Sequence, residues 1–342
     1  MSDRKEEHLE IAATRDVRSR HTTGLERYAL VPCALPEMAL ADVSLDTSFL
    51  WHALSAPLLI SAMTGGTSRA ADLNRRLARA AQTLGLAMGL GSQRVALDDP
   101  SQMASFQVRD LAPDVLLFAN LGAVQLNYGM SVDDCRRAVE AVGANALVLH
   151  LNALQEVIQP GGDTDFSGLL ARIEALCRRM EYPVIVKEVG WGITGATARR
   201  LQDAGVAAID VAGSGGTSWS RVEGYRLASE REREIASAFD DWGLPTAQSL
   251  VQVRDACPDL PLIASGGIGS GVDVAKCLAL GASLVGMARP LLLAALDSEE
   301  ALLQSLEVVL RQLAIAMFCT GARTVDDLAP ERIYSRSTSD GS

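Results

Sequence analysis

The sequence predicts an α/β fold, a (β/α)8 TIM barrel with an N-terminal extension and an inserted segment after strand 6 of the barrel. Three observations support this prediction. The chain has 342 residues of which 48% are hydrophobic, short apolar strands alternate with helical patterns from about residue 57, and eight such repeats can be counted. Alternating strands and helices indicate a parallel sheet, and eight repeats favour a closed barrel over a doubly wound sheet.

The predicted barrel strands are short apolar runs, at 58–61, 87–89, 116–120, 146–149, 184–187, 208–211, 262–265 and 284–286. Helical periodicity predicts helices at 70–84, 132–142, 166–180, 196–204, 272–280 and 302–317. We therefore divide the chain into an extension at 1–56 that contributes to the active-site mouth, a cofactor-binding barrel at 57–320 and a tail at 321–342. The charged insertion, 218–242, is either a solvated helix face or a lid over the site.

Composition limits the partners. The net charge of -11 argues against a nucleic-acid or anionic-membrane surface, because both need a basic footprint. The start of the sequence is densely charged and does not resemble a secretory signal, and we expect no run of membrane-spanning length. The six scattered cysteines fit buried thiols in a reducing cytoplasm.

Polar side chains cluster after the predicted fourth strand. His150 and Asn152 share one face of the strand, and Gln155 and Glu156 follow just past its end. Any one of them alone is most simply a hydrogen-bonded polar group, but together they could hold a phosphorylated substrate and a hard cation. Lys187 ends the fifth strand after three apolar residues, so it must pair, reach solvent or face a bound anion.

Glycine-rich loops follow predicted strands six, seven and eight, at 213–217, 265–269 and 286–289. Backbone N–H groups in such loops, with a nearby helix N-terminus, suit a phosphate, and the last two strands carry the common phosphate site of barrels. Small residues at 61–66 permit the approach of a flat ligand. FMN fits this description, although the spacing alone does not exclude a sugar phosphate.

Several motifs, in order along the chain, resemble those of the type 2 isopentenyl-diphosphate isomerases. They are Arg4-Lys5-x-x-His8, Met63-Thr64-Gly65-Gly66, Gly91-Ser92-Gln93-Arg94, His150-Leu151-Asn152, Gln155-Glu156, Val186-Lys187-Glu188-Val189-Gly190 and Gly215-Gly216-Thr217-Ser218-Trp219. The resemblance covers the chain from Arg4 to about Met317. It implies an FMN- and Mg2+-dependent delta-isomerase of isoprenoid biosynthesis that interconverts isopentenyl and dimethylallyl diphosphate with no net redox change. NADPH or NADH would keep the flavin reduced, and the protein would be a cytoplasmic homotetramer or homo-octamer.

The resemblance also implies a role for each site residue. FMN would contact Ala62, Met63, Thr64, Ser92, Asn120, Lys187, Thr217, Gly266, Gly267, Ile268, Ala288 and Arg289. Substrate would contact Arg4, Lys5, Arg94, His150, Asn152 and Gln155, with His150 and Gln155 catalytic and Glu156 binding the metal. We expect reduced flavin to donate the proton, either the flavin or the diphosphate to accept the proton that leaves, and Gln155 to act as a positioning group. One departure is Ala212, where many relatives have serine, and it bears on one flavin hydrogen bond.

Three other functions can be weighed against this one. An FMN-dependent 2-hydroxy-acid oxidase needs a histidine base near the seventh strand, but this chain has Ser265 and two glycines there. A dehydrogenase with a catalytic cysteine would need a cysteine in the glycine-rich loop after strand six, and that loop has none. A catalytically silent flavin-binding barrel would not need the polar cluster at 150–156.

Overall fold

The chain, described over residues 2–336 in a computed structural model, begins with an extension that reaches both ends of a barrel. The extension contains helix α1 (Ser2–Thr14) and strands β1 (Tyr28–Leu30), β2 (Thr47–Phe49) and β3 (His52–Leu54). Strands β2 and β3 form an antiparallel hairpin. Its turn places Leu50 and Trp51 at positive φ, a conformation that side chains rarely adopt.

Eight parallel strands form the closed barrel that the sequence predicts, with β11 pairing with β4 to complete the ring. The strands are β4 (Leu58–Ile60), β5 (Ala87–Gly89), β6 (Leu117–Gly122), β7 (Ala146–His150), β8 (Val184–Lys187), β9 (Ala208–Asp210), β10 (Leu262–Ala264) and β11 (Leu284–Met287). Every strand is fully buried except for the partly exposed last residues of β7 and β8, His150 and Lys187. Near-continuous apolar runs are expected where helices cover a parallel sheet.

Helices follow the strands and form the outer layer. They are α2 (Ser68–Leu84), α3 (Arg94–Asp98), α4 (Val132–Glu140), α5 (Ala153–Ile158), α6 (Leu169–Cys177), α7 (Gly195–Asp203), α8 (Trp219–Arg226), α9 (Glu230–Ser237), α10 (Thr246–Ala256), α11 (Gly271–Ala279), α12 (Arg289–Asp297) and α13 (Glu299–Thr320). The helix predicted at 166–180 is shorter than expected. Gly168, at φ 63, occupies its N-cap in the left-handed conformation, so the helix begins only at Leu169.

The barrel interior is filled from the amino ends of the strands. Phe49 and Leu54 of the hairpin pack with the inward residues of every barrel strand, and the rings of Phe49 and Phe118 meet edge to face at 6.3 Å. The hairpin therefore plugs the end of the barrel opposite the strand carboxyl ends. A second, larger cluster lies between the barrel and its helices.

Helix α13 and the residues after it complete the structure. By length and composition alone α13 could cross a membrane, whereas the sequence analysis expected no run of membrane-spanning length. In the structure α13 packs along α11, α12 and α2 as an outer barrel helix. The segment after it ends in β12 (Ile333–Ser335), which pairs antiparallel with β1. Most of the tail is thus ordered against the extension, and residues 337–342 lie outside the described part of the chain.

Candidate active site

A cavity opens at the carboxyl ends of the barrel strands, where barrel enzymes place their active sites. It has two halves. The glycine-rich half is lined by the loops after β9, β10 and β11 and encloses about 1470 Å³, including its open mouth. The polar half is lined by the loops after β5, β6 and β7 and encloses about 1100 Å³. The two halves meet at Met63, Thr64, Lys187 and Trp219, which line both.

The glycine-rich half is built from closely packed backbone. A Cβ added to Gly216 would lie 2.5 Å from the backbone nitrogen of Gly267, and Gly267 itself has φ +78. Helix α12 begins at Arg289 beside these loops, so its first N–H groups add to the donors around the cavity. This arrangement exposes backbone donors to an anion and leaves room for a phosphate rather than for side chains.

Lys187 is the cationic side chain that both halves share. It ends β8, its ammonium group donates to the carbonyl oxygen of Glu188, and it is paired in register with Asp210 on the neighbouring strand. Asp210 is buried, burial raises the pKa of its carboxyl, and one of its oxygens accepts from Ser265 Oγ at 2.6 Å. Lys187 can thus place a positive charge at the junction of the two halves.

Basic side chains from the extension enter the polar half. Lys5 Nζ donates to the carbonyl oxygen of Ser92 at 2.7 Å and lies 5.1 Å from the ring centre of Phe106. Burial, together with the neighbouring charge of Arg4, lowers the pKa of Lys5 to about 7. Arg4 Nε is buried without a hydrogen-bond partner. These groups form an incompletely satisfied anion site.

His150 lies near the cationic side chains of Lys187 and Lys5 and is itself neutral. Burial, then the charges of Lys187 and Lys5, lower the pKa of its imidazole to about 3. Its Nδ1 lies 2.8 Å from Asn120 Oδ1. Since that oxygen can only accept, Nδ1 carries the proton of the neutral ring, which leaves Nε2 as an acceptor and adds no charge at neutral pH.

Glu156 is a buried carboxylate that faces the polar half, and no ion pair to it is found within residues 2–336. Its Oε1 accepts from Asn152 at 2.9 Å, and its Oε2 accepts from Gln159 Nε2 and from the backbone N–H of Asp163. One lone pair on Oε1 therefore stays free. A single carboxylate with one free position suits a cation held mainly by substrate and water, and the described residues contain no cluster of three acidic, histidine or cysteine ligands.

Two cavity residues without an assigned role from the sequence, His8 and Trp219, lie next to Glu223, which is buried behind the cavity wall. His8 Nε2 lies 2.9 Å from Glu223 Oε1, and its ring meets the Trp219 ring edge to face at 5.2 Å. Gln155 Nε2 donates to the same carboxylate oxygen at 3.0 Å. Burial raises the pKa of Glu223, but His8, Gln155 and Arg226 outweigh burial and hold that pKa at about 2. Glu223 stays ionised and fixes the amide of Gln155.

Helix α1 covers the cavity of its own chain. Arg289 Nε donates to the carbonyl oxygen of Ala12 at 2.9 Å, and the ion pair of Arg226 with Glu7 holds the helix on its outer side. The residues that follow continue across the mouth, where Arg18 forms a β-bridge with Thr217. The extension thus lies over both halves of the cavity with one continuous segment.

Every predicted site residue lines this cavity. Those assigned to substrate or metal, Arg4, Lys5, Arg94, His150, Asn152, Gln155 and Glu156, line the polar half only. Those assigned to FMN line the glycine-rich half, namely Ala62, Met63, Thr64, Lys187, Thr217, Gly266, Gly267, Ile268, Ala288 and Arg289. Ser92 and Asn120, also assigned to FMN, line only the polar half. The structure brings the residues together, while their roles remain predictions.

The barrel and its glycine-rich cavity define the class of FMN-dependent barrel proteins. The family model of the FMN-dependent dehydrogenases matches residues 153–335. The chain belongs, more narrowly, to the isopentenyl-diphosphate delta-isomerases, which are isomerases. It is 56% identical to the isopentenyl-diphosphate delta-isomerase of a Synechococcus species over 94% of this chain and 92% of that one. It is 53% identical to the enzyme of Stutzerimonas stutzeri over 98% of this chain and 97% of that one. It is 54% identical to the enzyme of Xanthobacter autotrophicus over 95% of each chain.

Solved structures support the fold. A mandelate oxidase variant with an FMN adduct is 22% identical, with a TM-score of 0.66 over 97% of this chain and 92% of that one. A variant flavocytochrome b2 is 19% identical, with a TM-score of 0.69 over 96% and 82%. At this identity the likeness concerns the barrel architecture alone.

Proposed function

We propose that this isomerase interconverts isopentenyl and dimethylallyl diphosphate with reduced FMN and Mg2+ and without net redox change, as a step of isoprenoid biosynthesis. NADPH or NADH serves to reduce the flavin. The observation that carries the proposal is that an anion site with a free carboxylate position opens directly onto a cradle for a flat phosphorylated cofactor.

The cradle fits FMN. The backbone contact of Gly216 on Gly267 leaves the loop N–H groups for a phosphate, and Met63 and Thr64 lie where a ring system would join the two halves. Lys187 at this junction favours negative charge on the ring. When reduced and bound, FMN would supply an acidic proton and a negative charge beneath the substrate carbons.

The polar half binds the diphosphate. Arg4, Lys5 and Arg94 all line it. The side-chain oxygen of Asn152, buried there without a partner, can accept from a water held by the diphosphate or the cation. Binding of an anion beside Lys5 favours its charged form and so reverses the effect of burial on that amine. Glu156 provides one ligand to Mg2+, and diphosphate oxygens and water provide the rest.

The chain's own residues position the alkene. Moving the double bond requires a proton to arrive at one carbon and another to leave its neighbour, with positive charge developing between them. Glu223 holds the amide of Gln155 in the wall of the polar half. The negative charge that reduced FMN would carry, at about 4 Å from the developing cation, would stabilise that cation by ~4 kcal/mol at an effective dielectric constant of about 20. Helix α1, which lies over the cavity, limits the access of water to that cation.

The 2-hydroxy-acid oxidase alternative has less support. The loop after β10 brings Ser265, Gly266 and Gly267 to the cavity, so a histidine base is missing there. The two cavity histidines lie elsewhere, since His8 comes from α1 and His150 ends β7.

One assay series tests the proposal. The purified protein should be yellow, bleach with NADPH under anaerobic conditions, and then convert isopentenyl diphosphate only when Mg2+ is present. Protein reconstituted with reduced 5-deazaflavin, whose corresponding ring atom cannot exchange a proton in the same way, should lose turnover. Full activity with 5-deazaflavin would contradict the proton role of the flavin, and oxidation of lactate would favour the oxidase.

The same proposal includes a cytoplasmic homotetramer or homo-octamer. Light scattering of the FMN-loaded protein at micromolar concentration should give four or eight times the chain mass of 36.3 kDa. A monomer that is fully active would contradict this assembly.

A further inference from the structure

We infer that Asp163 is a positioning residue that holds the anion-binding Arg94 and the metal-facing Glu156 in fixed relation to each other. This inference rests on the proposed diphosphate and Mg2+ site. Asp163 itself does not line the cavity, and its side chain is 18% exposed behind the wall of the polar half. It can act on a ligand only through the residues that it touches.

Asp163 contacts three side chains of that wall. Its Oδ2 accepts from Arg94 Nη1 at 2.6 Å and from Gln125 Nε2 at 3.0 Å. Its backbone N–H donates to Glu156 Oε2 at 2.8 Å. The three partners lie in the short helical segments that follow β5, β6 and β7, so one residue joins three neighbouring parts of the site.

The segment before Asp163 makes a tight turn that leads to these contacts. Helix α5 ends at Ile158, and the N–H of Gly162 then donates to the carbonyl oxygen of Gln159. A Cβ added to Gly162 would lie 1.9 Å from the carbonyl oxygen of Glu156. Only glycine allows the chain to fold back this closely, and the turn sets the backbone N–H of Asp163 against the carboxylate of Glu156.

Two effects of Asp163 on anion binding oppose each other. Its charge repels a diphosphate, so an effect of charge alone would make any neutral variant bind anions more tightly. Its hydrogen bonds hold Arg94, whose long side chain otherwise loses rotamer freedom when the anion binds. We infer that positioning outweighs charge because Arg94 and Gln125 share one carboxylate oxygen at short distance.

Calorimetry with inorganic pyrophosphate and Mg2+ tests the inference on the FMN-loaded protein. Asp163→Ala should bind pyrophosphate about tenfold more weakly than the wild type, and Asp163→Asn, which keeps an acceptor for Arg94, should recover part of the loss. Asp165→Asn is the matched control, because the Asp165 carboxylate accepts only from Ser167, away from the wall. It should change the affinity by less than twofold.

A second variant addresses the backbone contact. Gly162→Ala keeps the Asp163 carboxylate but displaces its N–H from Glu156, so it should weaken pyrophosphate binding in the presence of Mg2+ more than in its absence. This prediction stands even if Asp163→Ala fails to fold. Unchanged or tighter binding by both Asp163 variants would overturn the inference. Failure of the wild type to bind pyrophosphate would instead contradict the proposed function.

Discussion

Replacing Lys5 by methionine should stabilise the substrate-free protein, and should do so most strongly at low pH. Methionine keeps the length and the apolar contacts of the lysine stem but carries no charge. Burial, and then the charge of Arg4, lower the pKa of Lys5 from 10.5 to about 7. The amine is therefore harder to protonate in the folded protein than in the unfolded chain. The wild type therefore folds at a cost that the variant does not have.

The size of this cost depends on pH. Above pH 10.5 the amine is neutral in both states and the cost is absent. As pH falls from 10.5 to about 7, the unfolded state takes up a proton that the folded state does not, and below about 7 the cost is constant. At ~1.4 kcal/mol per pH unit, it reaches at most ~5 kcal/mol at pH 6 and about 2 kcal/mol at pH 9.

The contacts that methionine loses offset part of the gain. The hydrogen bond of Nζ to Ser92 and its position over the Phe106 ring together contribute about 2 kcal/mol. At pH 6, where the folded amine is charged, we therefore expect a net stabilisation of about 3 kcal/mol. At pH 9 the folded amine is neutral, so only the hydrogen bond opposes the change, and the net stabilisation falls to about 1 kcal/mol. Urea denaturation of the FMN-loaded protein at the two pH values measures both quantities.

Lys276→Met is the control. Lys276 also donates to a backbone carbonyl oxygen, that of Leu25 at 2.9 Å, but it lies on α11 outside the cavity. The Lys276→Met variant should be less stable than the wild type by a similar amount at both pH values. Added pyrophosphate should stabilise the wild type more than Lys5→Met. A Lys5→Met variant that is less stable than the wild type at pH 6 would refute the reasoning.

Four further predictions concern the site. Glu156→Gln should need more Mg2+ for half-maximal rate, while flavin absorbance stays unchanged; an unaltered Mg2+ titration would exclude the metal role. Deletion of residues 1–8 should raise the Michaelis constant for substrate at least tenfold with little effect on bound flavin, and an intact constant would show that Arg4 and Lys5 do not hold the diphosphate. Gly216→Ala should weaken FMN binding at least tenfold by fluorescence titration, because its Cβ would meet the nitrogen of Gly267 at 2.5 Å; Gly224→Ala, whose Cβ would meet nothing closer than 3.8 Å, should not. His150→Gln should unfold less readily in acid than the wild type. In the wild type the unfolded chain protonates His150 as pH falls below 6.5, while the folded imidazole stays neutral down to about 3, so stability falls by up to ~1.4 kcal/mol per pH unit. Equal acid sensitivity of the two proteins would show that His150 is not held neutral.

Most of the barrel could be predicted from local sequence. Each strand is a short apolar run that ends in, or is followed by, a polar or small residue, and all eight predicted strands lie within two residues of those observed. The same logic places the strand-end residues on one rim, because parallel strands present their carboxyl ends together. For this reason His150 and Lys187 could be assigned to one cavity without a structure.

Contacts between distant parts of the chain could not be predicted in this way. In sequence Glu223 belongs to a charged run, which usually indicates a solvated helix face, yet it is fully buried against His8 from the extension. The insertion in fact contains two helices, of which α8 faces the cavity and α9 carries most of the exposed charge. Asp163 gives no local signal at all, because its importance lies in the partners that the barrel brings to it.

The pairing of β1 with β12 links the two ends of the described chain. Strand β1 contacts α11, and the segment that crosses the cavity mouth leads from α1 to β1. Local unfolding of this small antiparallel sheet would make the extension over the active site more mobile while the eight-stranded barrel stays folded. On heating, enzymatic activity should therefore be lost at a lower temperature than the one at which the barrel unfolds.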